Sequence, residues 1–402
     1  MTKKSYIDNP YLKEINATII ESSSQDENFH IKLDRTIFFP DLSGGQPRDL
    51  GSINDKKVID VYQEGDDIIH VVEEKIDESR VLLKIDWKNR FDLMQQHTGQ
   101  HILSASFENL FNAQTIGFHM GENYITIDVN LADMDQNTIS QIEILANKIV
   151  QSNFKVINKT LDRSTLKDED LSKVSEDEKE IRIVSIDNIS SSPCCGTHVS
   201  STGEIGLIKI VKWEKYKGNT RVSFICGNRA LEDYGNKTKI ISEVALSLAC
   251  GSGEVLERFN LLKDEREALR KEKILLQETI ISFKAESFLE EKKNIDGIDY
   301  IMEVMEDIDK KELNLIASQL NKTDNLIQIY KIEEENNGSF IISRSSNLDL
   351  DLKSMFNSIS EKIIVKGGGN EEKIQGSTSL TIIDRVVEMF YKEIKTYFKT
   401  RI

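Results

Sequence analysis

The sequence predicts an α+β protein of several domains, on three observations. Its 402 residues exceed the roughly 100–200 that a single domain usually spans. Between Thr18 and Ile85, short β-rich runs alternate with turn clusters, and near Asp86 the pattern changes to a helical period. From Leu231 to Glu290 the chain lacks proline and carries apolar residues at seven-residue steps, the mark of a long helix or coiled-coil arm.

Taken in order, the runs Phe29–Leu33, Thr36–Phe39, Ile68–Val72 and Val81–Ile85, with turns such as Asp41–Gly45, read as a small β-barrel or sheet. The helical period then runs through Phe91, Met94, His97, Thr98, His101, Ile102 and Ala105. Strands follow around Tyr124–Val129, a helix from about Asn137 to Asn153, a strand at Ile181–Ile186, a cysteine loop at Pro193–Val199, and strands at Gly206–Trp213 and Thr220–Cys226. In the arm, Val255, Leu262, Leu269 and Leu276 form one seam, with Phe259 and Ile280 beside it. Arg266 and Lys273 break the second seam, which favours a short antiparallel hairpin over a prolonged zipper. The last part alternates strands (Leu326–Tyr330, Phe340–Ser343, Ile363–Val365) with helices and reads as α/β. The expected layout is an N-terminal β-barrel domain over 1–87, an α+β domain over 88–236, a helical arm over 237–292 and a C-terminal α/β domain over 293–402.

Composition narrows the class. The start has positive charge with no apolar stretch behind it, and no window approaches the ~20 apolar residues of a membrane span, so a cytoplasmic protein is expected. Four cysteines are too few for a disulfide framework and read as thiols or metal ligands. A net charge of −16 argues against non-specific coating of nucleic acid. The charge is uneven, however: acidic residues crowd into Lys167–Glu180, while Lys209–Arg229 and Lys392–Arg401 are basic and could dock RNA.

Two motifs carry chemistry. His97 and His101 stand four residues apart on the expected helix, so both imidazoles share one face and can converge on one ion. Cys194 and His198 stand four apart in a glycine-containing loop and supply the two further N/S ligands that tetrahedral zinc favours. Half of the six histidines fall in these two pairs, which makes one zinc ion per chain the reading. With all four bound the site is closed and the zinc structural; water or substrate enters only if coordination expands or one ligand is loose. Cys195 offers an alternative thiol at the same position. His30, His70 and His119 read as packed or exposed, with His119 a candidate neighbour of the site, and Cys226 and Cys250 as buried small residues.

His97-xxx-His101 followed by Cys194-xxx-His198 resembles the editing domain of alanyl-tRNA synthetases and of the free-standing AlaX-type editing proteins. Phe38–Gly51, with Gly44-Gly45-Gln46, resembles the Gly-Gly-Gln element of that family's barrel, and Lys217–Leu231 resembles the strand that closes its editing domain. Gly367-Gly368-Gly369 is similar to the glycine signature of the C-terminal domain shared with DHH phosphoesterases, but Asn370 and Glu371 stand where the family usually has arginine and proline, and no Asp-His-His triplet occurs. Read by itself, the triplet is a turn between strand and helix. The barrel opens the chain, so the long free-standing form is expected rather than a synthetase.

The resemblance implies hydrolysis, in trans and with water as co-substrate, of the ester joining serine or glycine to tRNA(Ala). Gln46 and Thr98 are the candidates for catalytic polar contacts, the first at the end of a Gly-Gly turn and the second beside a zinc ligand. Arg221 with Lys209, Lys212, Lys215 and Lys217 is a candidate phosphate contact, or else a basic strand edge that deters aggregation. The rival readings are a threonyl-type editing activity, a zinc-stabilised tRNA-binding protein without turnover, and a scaffold whose arm and C-terminal domain form a homodimer.

Overall fold

The computed structural model describes residues 1–25, 27–41, 44–165, 180–306, 309–333 and 337–400. The acidic stretch at 167–179 lies outside them. The chain divides into two units, Met1–Ser247 and Leu248–Ile402, of mixed α and β structure.

In the first unit, strands β1 (Glu14–Gln25), β2 (Asn28–Leu33), β3 (Gly51–Ile53), β4 (Lys56–Glu64), β5 (Asp67–Val72) and β6 (Arg80–Ile85) close into a barrel in the order β1-β2-β5-β4-β3-β6. The alternation that marks a strand is plain in β6, where Val81, Leu83 and Ile85 turn inward to join Ile31, Leu33, Phe38 and Val61. The expected strand at Thr36–Phe39 shrinks to Arg35–Thr36, paired with Lys3–Lys4. Ile37–Phe39 are buried but irregular, because the Asp49 carboxylate takes the Phe39 amide at 2.5 Å in place of a ladder partner.

Asp86 caps helix α1 (Trp87–Phe111), its carboxylate accepting the Asn89 amide at 3.1 Å. Beyond it come β7 (Thr115–Met120), β8 (Ile125–Val129), α2 (Gln136–Gln151), β9 (Val156–Asp162), β10 (Glu180–Ile186), β11 (Ser190–Pro193), β12 (Ile208–Tyr216), β13 (Asn219–Cys226) and α3 (Gly227–Ser247). A four-stranded sheet runs β12-β13-β8-β7 and a three-stranded one β9-β10-β11. The helix α1 lies almost against β13: a Cβ at Gly99 would stand 2.2 Å from the Cys226 sulfur. Only glycine permits that approach.

The second unit holds α4 (Val255–Glu290), β14 (Lys293–Ile295), β15 (Ile298–Glu306), α5 (Lys310–Leu320), β16 (Leu326–Glu333), β17 (Asn337–Arg344), α6 (Leu352–Ser360), β18 (Lys366–Gly369), β19 (Lys373–Ser379) and α7 (Leu380–Lys399). Its sheet runs β14-β15-β16-β17-β19-β18, parallel only between β15 and β16.

Three expectations are corrected here. The helix expected over Leu231–Glu290 is two helices, α3 and α4, interrupted where Ala249 turns left-handed (φ 50°) and Gly251 and Gly253 weaken helical continuation. The seam residues Phe259, Leu262, Leu269, Leu276 and Ile280 are exposed on α4, whereas Ala285 near its end is buried. The strand expected at Ile363–Val365 starts instead at Lys366, and the glycine triplet is that strand rather than a turn. Gly367 faces Gly376 across the ladder, where a Cβ would stand 2.3 Å from the Gln375 carbonyl oxygen. No described helix is long and apolar enough to cross a membrane.

His70 in β5 is wholly buried; its Nδ1–H donates to the Ile31 carbonyl at 3.2 Å and its Nε2 accepts the Thr36 hydroxyl at 2.7 Å. Burial pushes its pKa from 6.5 down to about 4. The unfolded chain therefore takes up this proton before the folded one does, so His70 leaves stability intact above pH 6.5 and lowers it progressively as pH falls toward 4, by up to about 3 kcal/mol. Unfolding midpoints measured from pH 7 to 4 should fall more steeply for the natural chain than for His70→Gln; equal slopes would contradict this.

A candidate metal centre beside an open cavity

His97 and His101 lie one turn apart on α1, and the loop after β11 brings Cys194 and His198 to meet them. One ligand atom from each of the four lies within 4.8 Å of all the others. The Cys194 sulfur stands 3.3 Å from His97 Nε2 and 3.2 Å from His198 Nε2, and the ring centroids of His97–His101, His97–His198 and His101–His198 are 5.5, 4.6 and 5.0 Å apart. Ligands of a tetrahedral zinc with ordinary bond lengths are separated by roughly 3.3–3.6 Å. The side chains thus stand near the spacing that the ion requires, and three imidazoles with one thiol are a donor set that zinc accepts.

Partners behind the rings decide which nitrogen faces inward. Gln46, wholly buried, presents its carbonyl oxygen to His97 Nδ1 at 3.0 Å. Its orientation is set by Thr197, whose amide donates to Oε1 at 2.9 Å while the Gln46 NH2 donates to the Thr197 hydroxyl at 3.0 Å. An amide oxygen only accepts, so His97 carries its proton on Nδ1 and turns the Nε2 lone pair toward Cys194. Thr98 does the same for His198. Its hydroxyl proton goes to the Met94 carbonyl at 2.8 Å, which leaves the oxygen to accept from His198 Nδ1 at 3.3 Å and from the Val199 amide at 3.2 Å. Ser192 meets His101 Nδ1 at 3.1 Å.

Burial, and then the adjacent rings, holds the pKa values of His97 and His198 well below the ordinary imidazole range, so both are neutral at neutral pH and keep a lone pair to offer an ion. Burial also pushes the Cys194 thiol up to about 11. The loop is held from behind by Arg182, which donates to the carbonyls of Cys194, at 3.1 Å, and Gly196. Gly196 is required where it stands, since a Cβ there would fall 2.0 Å from the His97 ring.

A cavity of about 900 Å³ opens beside this cluster, lined by His97, His101, Cys194 and Cys195 at one end and by Glu108, Asn109 and Gln114 at the other. Neither Gln46 nor Thr98 lines it; the structure brings both to the site, on the far side of the histidines. His119 is exposed on β7, whereas its neighbour Phe118 stacks on His97 with centroids 5.4 Å apart. His30 meets the Tyr62 hydroxyl at 3.0 Å in the barrel. Cys226 is buried, Cys195 exposed and Cys250 partly buried.

The basic residues of the four-stranded sheet are largely paired. Lys209 meets Glu143 at 2.8 Å, Lys212 meets Glu214 at 2.6 Å and Lys215 meets Asp133 at 2.7 Å; Arg221 forks onto Asp128 at 2.7 and 2.8 Å and stacks 3.6 Å over Tyr216. Phosphates would compete with those carboxylates, and β12 is the sheet's outer strand, where paired lysines also block edge-to-edge association.

Sequence reasoning missed the pair that joins the barrel to α1. Arg90 and Asp49 are both wholly buried; the guanidinium meets the carboxylate through Nε at 2.7 Å and through its NH2, and also donates to the carbonyls of Pro10 at 2.9 Å and Ile37 at 2.6 Å. Spacing held the signal: Arg90 precedes His97 by seven residues, two helical turns, and Asp49 follows Gln46 by three.

Residues 181–223 match the family described as the threonyl and alanyl tRNA synthetase second additional domain. That match contains Cys194 and His198. An alanine–tRNA ligase of Ignicoccus hospitalis is 29% identical over 318 residues, 75% of this chain and 34% of that one. Over nearly its whole length the chain is similar to free-standing proteins. The alanyl-tRNA editing protein AlaX-L of Pyrococcus horikoshii is 30% identical over 397 residues, 94% of each chain, and the alanyl-tRNA editing protein Aarsd1 of Danio rerio is 29% identical over 373 residues, 91% of this chain and 88% of that one. The chain belongs to the AlaX-L family of alanyl-tRNA editing proteins.

Because His97 and His198 enter neutral and Cys194 as a thiol, Cys194 gives up a proton when the centre is filled, and zinc affinity should rise about tenfold per pH unit between pH 7 and 9. Competitive chelator titration reads the slope. Gln46→Leu should lower the affinity by about 10–100-fold without changing that slope; a flat profile would show that Cys194 does not ligate.

Proposed function

We propose that this chain is a zinc-dependent hydrolase that removes serine or glycine in trans from mischarged tRNA(Ala), with His97, His101, Cys194 and His198 holding one zinc ion per chain. The observation that carries this reading is the convergence of three imidazoles and a thiol on one point at the wall of an open cavity, in a chain of the alanyl-tRNA editing family.

An aminoacyl ester is already activated, so hydrolysis asks for placement of the 3′ end, an oriented water and stabilisation of the developing oxyanion. Zinc bound there would supply Lewis acidity. Gln46 and Thr98 act as positioning residues: by accepting the Nδ1 protons they hold the His97 and His198 rings in one tautomer and one orientation. Glu108 is the one carboxylate among the described cavity-lining residues, seven residues beyond His101 on α1, so the proton of the attacking water is assigned to the vicinal ribose hydroxyl of the substrate, which passes its own proton to the departing ribose oxygen. A pocket that hydrogen-bonds the serine hydroxyl leaves polar groups unpaired when alanine is bound, which spares correctly charged tRNA. The four parts 1–87, 88–236, 237–292 and 293–402 divide the work, the first two building the site and the last two serving as arm and C-terminal α/β domain.

The full set of four protein ligands favours a second reading, in which the zinc braces helix against loop and the cavity alone positions substrate and water.

The test is serine release from serine-charged tRNA(Ala), with alanine-charged tRNA(Ala) as control. Rapid release that spares alanine and falls roughly 100-fold, about 3 kcal/mol, in His101→Ala and in a chelated sample is the expected result. Zinc at full occupancy without serine release would reject the hydrolase and leave a tRNA-binding protein.

A further inference from the structure

The wall of the cavity along α1 carries a polar row one helical turn apart: Gln100, Ser104 and Glu108. Gln100 stands between the two histidines of the helix, half-buried, and its NH2 donates to the Ser104 hydroxyl at 2.8 Å. Ser104 in turn meets the Thr115 hydroxyl at 2.6 Å, across from α1 on β7. That last bond already ties helix to strand, so the tie does not depend on Gln100. The bond to Ser104 holds the carboxamide at one corner. It leaves one N–H and the carbonyl oxygen with no hydrogen bond among the described residues, on a side chain that lines the cavity.

We propose that Gln100 reads the adenine base at the 3′ end of the substrate, an inference that rests on the editing function above. Adenine presents a donor and an adjacent acceptor, the N6 amine beside a ring nitrogen, and a glutamine amide is the side chain that matches such a pair with two parallel hydrogen bonds. Guanine presents two acceptors on the corresponding edge and matches only half of the amide. Ile116, 57% exposed and also on the cavity wall, supplies apolar surface against which the face of a base can lie. A cavity of about 900 Å³ has room for a nucleoside and its attached amino acid together, so a base held at Gln100 and the ester it carries fit in the cavity that the histidines line.

The test uses the full chain loaded with zinc and two non-hydrolysable probes, 3′-serylamino-3′-deoxyadenosine and its counterpart whose base is unsubstituted purine. Kd values for both are measured on the natural chain, Gln100→Leu and Gln100→Glu, with zinc content confirming that each variant is folded. The natural chain should bind the adenine probe about tenfold tighter than the purine probe. Gln100→Leu should bind the two alike, and Gln100→Glu, which keeps the acceptor for the N6 amine but has no donor for the ring nitrogen, should bind both probes more weakly while keeping a preference for the adenine probe. Equal affinities in the natural chain, or a preference that survives in Gln100→Leu, overturn the assignment. Serine release from charged tRNA is scored separately. A base preference without release rejects the editing function alone, and release without a preference rejects the role of Gln100 alone.

Discussion

The buried ion pair between Arg90 and Asp49 is the constraint on which the arrangement of the centre depends. Two ions taken wholly out of water are stable only if their remaining hydrogen-bonding capacity is satisfied, and here it is: the guanidinium reaches two carbonyls besides the carboxylate, and the carboxylate also takes the Phe39 amide. Removing one partner leaves an unpaired charge in the core, so the bond admits little slippage. It joins the barrel segment that carries Gln46 to the helix that carries His97. The contact between Gln46 and His97 follows from it, as does the placement of Thr197, which bonds both oxygen and nitrogen of the same amide.

From that anchor the centre is built by uncharged groups. Gln46, Thr98 and Ser192 each meet an imidazole Nδ1, Gly196 gives the His97 ring its space, and Gly99 lets the helix lie against β13. Arg182 is the exception, a cation that binds loop carbonyls rather than a ligand. Carboxylates in this layer would raise the basicity of the rings; amide and hydroxyl oxygens orient them with little added charge.

The cluster of His97, His101, Cys194 and His198 was legible in the sequence because metal binding demands residue types that are rare and spaced by local geometry: His97 and His101 by one helical turn, Cys194 and His198 by one loop. The barrel strands and α1 were legible from periodicity for the same local reason. What periodicity could not show is long-range. Arg90 looks like any helical arginine until Asp49 is placed beside it, and Ser192 is one of three serines before the cysteine loop. The helix expected to run to Glu290 looked continuous because an apolar step of seven persists past Ala249, where backbone conformation, not hydrophobic pattern, ends it. The glycine triplet read as a turn because glycine usually serves turns; in β18 it serves the close approach of two strands.

The measurement that bears most directly on the centre is X-ray absorption at the zinc edge of the purified full chain, with the metal content determined on the same sample. One zinc per chain with a single sulfur at about 2.3 Å and three nitrogens at about 2.0–2.1 Å is the predicted first shell. A shell of oxygens and nitrogens without sulfur, or zinc bound in less than stoichiometric amount at saturating metal, would contradict the account.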